Sequence, residues 1–298
     1  MKRILTLLVI VMLVSCQNQE PETLETFGLD QVKLLESPFL QAQQTDEAYI
    51  LELDMDRLLA PFLIEAGLEP KAERYGNWEN TGLDGHIGGH YLTALSLMYA
   101  SSGDQEMLDR LNYMLDELER CQQANGNGYV AGIPNGKRIW SEIANGTINA
   151  QNFSLNGGWV PLYNIHKTFA GFRDAYLIAD IPRAKDMLIA LTDWFIETTK
   201  DLSDEQIQEM LRSEHGGLNE VFADVYAITG EEKYLTLAER FSHHEILDPL
   251  LRDEDDLTGK HANTQIPKVI GYQRVAELDE QKKDWTEAAK FFWDDVVN

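Results

Sequence analysis

Cysteine is almost missing from this chain: there are two in 298 residues, Cys16 and Cys121. One pair cannot build the dense disulfide framework of a small secreted scaffold, so an apolar core has to hold the fold. Cations are scarce as well, with 25 Lys and Arg against 50 Asp and Glu, for a net charge of -25. That excludes nucleic acid as a partner, because neutralising phosphates takes clustered Lys and Arg. Strand grammar is the third absence. No stretch sustains an apolar/polar alternation, and Val and Ile fall on helical spacing instead, so the chain reads as all-α. What is plentiful is apolar residues, 44% of the total, ample for one large core or part of a larger one.

The unbroken apolar run Leu7 to Val14 is too short to cross a membrane as a mature helix. Lys2 and Arg3 precede it, so residues 1–15 read as a secretion signal. Leu13-Val14-Ser15-Cys16 resembles the lipobox of bacterial lipoproteins. That resemblance implies lipidation of Cys16, a place in the cell envelope (periplasm or outer membrane), and membrane contact through the lipid anchor only. Residues 16–28 then form a polar, acidic tether of the kind that stays disordered, and 29–298 form the globular domain. The sequons at Asn145 and Asn152 carry no meaning in such a protein.

Glu214 to Phe241 reads as a complete helical hairpin. Leu218, Val221, Phe222, Val225 and Tyr226 follow the i, i+3, i+4, i+7 rule, Thr229-Gly230 stops the first helix, and Glu231-Glu232 open the second. The unit recurs about four times with a period of about 50 residues, the mark of a repeat architecture. Its first helices are expected over 85–100, 160–178, 218–228 and 263–276, each with small residues and a His near its start. Longer amphipathic helices are expected over 107–122, 183–198, 233–241 and 285–297. An earlier helical pattern, 37–66, is expected to break at Pro61. Small residues let first helices approach closely, which places them in an inner ring with the amphipathic ones outside: an (α/α)6 toroid. About nine helices are legible where a closed ring of six hairpins takes about twelve, so the toroid is expected to be incomplete and the chain truncated.

In such a ring the N-terminal ends of the inner helices share one mouth. Asp84, His86, His90, Trp159, His166, Glu214, His215, Asn219, His261 and Gln265 would gather there. Five of the seven histidines belong to this set, which weighs against each being a solitary structural residue. Imidazoles, amides, carboxylates and an indole around one mouth suit a sugar, whose hydroxyls need paired polar partners and whose apolar face stacks on an aromatic ring. The long insertion 125–158 is expected to lie over the mouth and to offer Tyr129, Trp140 or Glu142 to a ligand.

Other motifs fail on context. Gly126-x-Gly128-x-x-Ala131 follows a helix and opens no βαβ unit. His86-x-x-x-His90 has ligand spacing but lacks the neighbouring Glu of a zinc protease. Asp253 to Asp256 lacks the Gly and distal Glu of a calcium loop. His243-His244 ends an outer helix and reads as surface.

Five stretches carry a family resemblance: GLDGHIGGHYLTAL (82–95), NGYVAGIPNG (127–136), WVPLYNIHKTFAGFRDAY (159–176), EHGGLNEVFADVYAITGEEKYL (214–235) and KHANTQIPKVIG (260–271). In this order they resemble the N-terminal half of the β-L-arabinofuranosidases of glycoside hydrolase family 127 and its neighbour family 146, from about Leu29 onward. The resemblance implies an (α/α)6 barrel and a retaining glycosidase acting on arabinose-containing plant oligosaccharides or glycans. It also implies a zinc-bound Cys thiolate as nucleophile and a Glu as acid/base. Both of those family motifs, a Glu-x-Cys and a later Cys-Cys pair, would lie after Asn298. No catalytic or zinc-binding residue is therefore expected within the chain, and zinc belongs to the full-length family enzyme. Glu119-Arg120-Cys121 imitates the first motif but falls in an outer helix, so Cys121 reads as a buried structural thiol. The resemblance carries His166, His215 and His261 over as sugar-facing residues, with Glu214 and Gln265 nearby. Two other readings stay open on the residues: a toroid epimerase or polysaccharide lyase using His and Tyr, and a non-catalytic, lipid-anchored glycan-binding module.

Overall fold

A computed structural model describes residues 26–297; Cys16 and the apolar run before it lie outside the described residues. Two helices come first, α1 (Pro38–Glu52) and α2 (Met55–Ala66), followed by the first hairpin, α3 (His86–Ser102) and α4 (Gln105–Asn125). A short helix α5 (Gly136–Ala144) and three two-residue strands, β1 (Ala150–Gln151), β2 (Ser154–Leu155) and β3 (Gly158–Trp159), lead into the second hairpin, α6 (Pro161–Leu177) and α7 (Pro182–Thr199). After α8 (Asp204–Met210) the third hairpin is α9 (Leu218–Thr229) and α10 (Glu232–Arg240). After α11 (His244–Leu250) the fourth is α12 (Ala262–Leu278) and α13 (Asp284–Val297).

The expected inner helices pack side by side, α3 on α6, α6 on α9 and α9 on α12, while each also packs on the outer helix that follows it. This is an all-α, toroid-like arc. The thirteen α-helices among the described residues exceed the expected nine because three short ones occupy connections and the first pattern is two helices. The break in that pattern is at Leu53-Asp54 and not at Pro61. The Asp54 carboxylate caps α2 by accepting from the Asp56 and Arg57 amides, and Pro61 sits inside α2. A proline there forfeits one backbone bond, and the burial of Leu58, Leu59, Phe62 and Leu63 on either side outweighs it.

Small residues set the spacing of the inner row. A methyl on Gly89 would overlap the backbone of Lys167, and one on Gly171 would press on the Gly89 carbonyl and Leu92, so α3 and α6 touch backbone to backbone. Below the mouth a polar belt crosses all of these helices. The Thr93 hydroxyl on α3 donates to Asp174 on α6 (2.7 Å). Arg173 donates to Asp174 (2.9 Å) and to Asp224 on α9 (3.0 Å), and Arg274 on α12 donates to Asp224 (2.8 Å). A slip of one helix against the next would strand a buried charge, which costs about 3–5 kcal/mol.

The insertion is ordered. Its strands pair antiparallel in the order β1-β2-β3, with Ala150 opposite Leu155 and Ser154 opposite Trp159. Among the described residues no helix is long and apolar enough to cross a membrane.

Candidate functional site

A cavity of about 430 Å³ opens between the N-terminal ends of α9 and α12, roofed by the β1–β2 turn. Asn152 and Phe153 supply the roof, and the Glu214 amide donates to the Asn152 carbonyl (2.9 Å), fixing the hairpin over the opening. Of the sequence-predicted site residues, Glu214, His261 and Gln265 line this cavity. His261 is exposed and sits edge-on to Phe153, ring centres 6.2 Å apart. Gln265 is buried; its amide donates to the Thr264 hydroxyl, and its Oε1 accepts from Lys268 Nζ (3.0 Å).

Lys268 and His243 are among the lining residues that escaped the sequence reading, as are Arg212, Glu245, Lys260 and Thr264. Lys268 follows His261 and Gln265 on one face of α12, and the i, i+4, i+7 spacing could have revealed it. Burial drives its ammonium down to about 8, against the smaller opposing pull of Glu245. His243, expected at the surface, is buried: Lys268 Nζ donates to its Nδ1 (3.0 Å) and His215 meets it edge-on at 5.6 Å. The Phe241-Ser242 turn redirects the chain into α11 and brings His243 inward, a change of direction that helical periodicity does not register. His244 is exposed and paired with Asp248, as expected of a surface residue.

The remaining residues divide by what their polar atoms already hold. His86 is buried, its Nδ1 shared between the Leu83 carbonyl (2.7 Å) and Glu79 (2.6 Å). Asp84 accepts from Arg74 (2.7 Å) and from the Gly82 amide (3.0 Å). Asn219 donates to the Lys268 carbonyl (3.0 Å) and is pressed against Gly271, so it clamps α9 to α12 and does not line the cavity. By contrast, neither ring nitrogen of buried His166 has a partner, and the ring rests on the Gly216-Gly217 turn. A side chain at Gly216 would collide with it, and its φ of +59° favours glycine there in any case. His215 gives Nδ1–H to the Ser213 carbonyl (3.0 Å), which fixes the tautomer and leaves Nε2 as an unpartnered acceptor. His90 is exposed. Trp159 is 37% exposed and meets exposed Trp78 edge-on at 6.4 Å, a second aromatic that sequence reasoning passed over. Of the insertion residues expected at the mouth, Tyr129 and Trp140 are buried elsewhere, and Glu142 pairs with Arg138 (2.6 Å).

Burial keeps His90, His166, His215 and His243 neutral at pH 7. Desolvation first, then nearby cations, lowers His90 to about 4, His215 to about 3 and His243 to about 2, and takes His166 well below its usual value. Lys167 falls to about 8 for the same first reason, and burial raises Glu214 despite His261 and both lysines. Neutral imidazoles thus stand among charged groups, since Arg212, Glu214, Glu245, Lys260 and Lys268 also line the cavity, and the neutral rings can meet hydroxyl groups. Zinc does not fit these residues. Cys121 is buried in the core with its thiol pushed up to about 12, the reverse of what a metal thiolate requires. Among the described residues no three His, Cys, Asp or Glu side chains converge to hold an ion.

Residues 31–298 match the family model described as the β-L-arabinofuranosidase GH127 catalytic domain. Among solved structures, the chain is similar to a GH127 β-L-arabinofuranosidase from Geobacillus stearothermophilus T6, at 16% identity and a TM-score of 0.53, covering 87% of this chain and 42% of that one. It is also similar to a second GH127 β-arabinofuranosidase, at 15% identity and a TM-score of 0.59, covering 91% and 43%. At these identities the likeness speaks to the fold, and the chain spans less than half the length of either structure. No curated protein matches it.

Proposed function

Since the chain belongs to the GH127 β-L-arabinofuranosidase catalytic-domain family, we propose that it is the sugar-binding arc of a glycoside hydrolase that acts on arabinose-containing glycans. The observation that carries this reading is the cavity at the mouth, where Glu214, His243, His261, Gln265 and Lys268 meet under Asn152 and Phe153. Neutral imidazoles can give or take a hydrogen bond without the cost of desolvating a charge, which suits a ligand made of hydroxyls. Phe153 and the Trp78–Trp159 pair offer aromatic surface to the C–H face of a furanose or of its neighbour in the glycan. His166 Nδ1 and Nε2 and His215 Nε2, all buried and unpartnered, are the acceptors and donors such a ligand would complete.

In this reading the described residues hold the sugar, and no bond-breaking step passes through Cys121. The zinc-bound thiolate that the resemblance implies is assigned to none of the described residues. The protein is held at the cell envelope by lipid on Cys16, a reading supported by the lipobox pattern and the short apolar run before it.

Calorimetric titration with a β-L-arabinofuranosyl oligosaccharide tests the binding role. Saturable binding that weakens about tenfold in His261→Ala and Gln265→Ala is expected, the loss of about 1.4 kcal/mol. Equal affinity in the wild type and both variants, or no binding by the folded chain, refutes it. An epimerised or unsaturated product from the same incubation would instead favour the epimerase or lyase reading.

A further inference from the structure

Aromatic rings form a row that runs from the mouth to the first turn of α3. Phe153 lines the mouth cavity, and its carbonyl accepts from the Val160 amide (3.2 Å), which sets Trp159 beside it in the small sheet. Trp159 meets Trp78 edge-on at 6.4 Å. Trp78 in turn borders a cleft of about 250 Å³ between α1, the loop before α3 and the first turn of α3, where Tyr49, Leu53, Tyr75 and Ile87 join it. None of these five residues lines the mouth cavity.

Two of these rings are held out in water: Trp78 is 57% exposed and Tyr49 59%. The loop under Trp78 is well fastened. The Trp78 carbonyl accepts from the Thr81 and Leu83 amides, and the next residue, Glu79, is buried with its carboxylate on the Gly85 and Ile87 amides (2.9 and 3.1 Å). Tyr75 is fixed as well, because its hydroxyl accepts from the Asp54 amide (2.8 Å) and the Arg57 guanidinium covers one face of its ring at 4.0 Å. A fixed loop that leaves an indole more than half in water forgoes the burial this side chain would otherwise gain, as a binding surface does. Glu79 brings a carboxylate to the cleft, but the two amides and His86 (2.6 Å) already hold it. The polar edge that remains is the Tyr49 hydroxyl and the Asn77 amide, neutral groups that donate and accept. Aromatic faces with such an edge suit a neutral ring that has both a C–H face and hydroxyl groups.

We infer that this cleft is a remote subsite for a further sugar ring of the glycan held at the mouth, so that the protein prefers an oligosaccharide chain to a single arabinofuranosyl unit. Continuity with the mouth through Phe153, Trp159 and Trp78 identifies the occupant, and the inference therefore rests on the reading of the mouth as a sugar site. One ring is smaller than the ligands that fill pockets of roughly 300–1,000 Å³, in keeping with the size of the cleft. Once the mouth holds one end of a chain, the linkage keeps later rings near the cleft, and the second contact raises affinity as an intramolecular event.

The test titrates the full chain with methyl β-L-arabinofuranoside and with β-L-arabinofuranosyl oligosaccharides of increasing length, followed by calorimetry and saturation-transfer NMR. Affinity should rise about tenfold or more from the methyl glycoside to the longer chains. Tyr49→Ala, a change at an exposed position, should abolish that rise and leave the methyl glycoside unaffected, while Tyr49→Phe, which keeps the ring, should retain most of it. Circular dichroism checks that each variant keeps its helices. Affinity that does not depend on length overturns the inference, and so does a length dependence that survives in Tyr49→Ala. A dimer in sedimentation that Tyr49→Ala dissolves, without any length dependence, would assign the exposed rings to a second copy of the chain and overturn it too. The reading of the mouth fails on a different result, unchanged binding of the methyl glycoside in His261→Ala. No binding at any length by the folded chain overturns both.

Discussion

Replacing Lys268 by Met should change how stability depends on pH, because this ammonium sits in a place that disfavours its charge. It is 4% exposed, donates to His243 Nδ1 and Gln265 Oε1 at 3.0 Å each, and falls from the usual 10.5 to about 8, with burial the leading cause. A fall of that size corresponds to about 3 kcal/mol, borne by the folded state wherever both states are protonated. Between about 8 and 10.5 the unfolded chain holds the proton and the folded chain does not, so stability rises with pH through that window. Lys167, also near 8, adds to the same trend, and comparison with Lys268→Met cancels its share. Urea unfolding of wild type and variant from pH 7 to 9.5 reads the difference directly. The wild type should gain about 2 kcal/mol on Lys268→Met over that range. A difference constant to within about 0.5 kcal/mol would mean that Lys268 titrates as a solvated lysine, and the desolvated wall inferred for the mouth would then be wrong.

Gly89→Ala should destabilise the protein by about 3 kcal/mol or more, because the new methyl meets the Lys167 backbone, which cannot rotate away. An unchanged urea midpoint would show that α3 and α6 can part freely. Native Cys121 should resist Ellman's reagent at pH 8 until denaturant is added, since its thiol is buried and raised to about 12. Prompt labelling of native Cys16→Ser protein, in which Cys121 is the remaining thiol, would contradict this. Radiolabelled fatty acid should be incorporated by expressing cells and lost in Cys16→Ser, and equal labelling of the two proteins would end the lipid-anchor reading.

Much of the fold was legible because it is written in local terms. The helix at 218–229 follows from the i, i+3, i+4 spacing of Leu218, Val221, Phe222 and Val225 together with the Gly230 stop, and it begins and ends as those residues dictate. The close packing of the inner row was foreshadowed by Gly89, Gly171 and Gly271, since such contact has few other uses for mid-helix glycine. The short helices α5, α8 and α11 were not legible. At seven to nine residues they carry too few turns for a period to emerge, and tertiary packing stabilises them more than propensity does.

The site divides along the same physical line. Residues placed by helix geometry alone, His261 and Gln265 on the first turns of α12, went where their spacing sent them. Residues placed by chain reversals went where sequence spacing could not follow, as with His243 behind the Ser242 turn and Tyr129 folded away from the mouth. His86, Asp84 and Asn219 add a third case. Their residue types suit a sugar, but spacing does not disclose which atoms a neighbouring helix has already claimed. Asn219 reaches the Lys268 carbonyl 49 positions further along the chain. At this mouth, therefore, the proposed ligand contacts are ranked by whether a buried nitrogen still lacks a partner. By that criterion His166 and His215 stand ahead of His86.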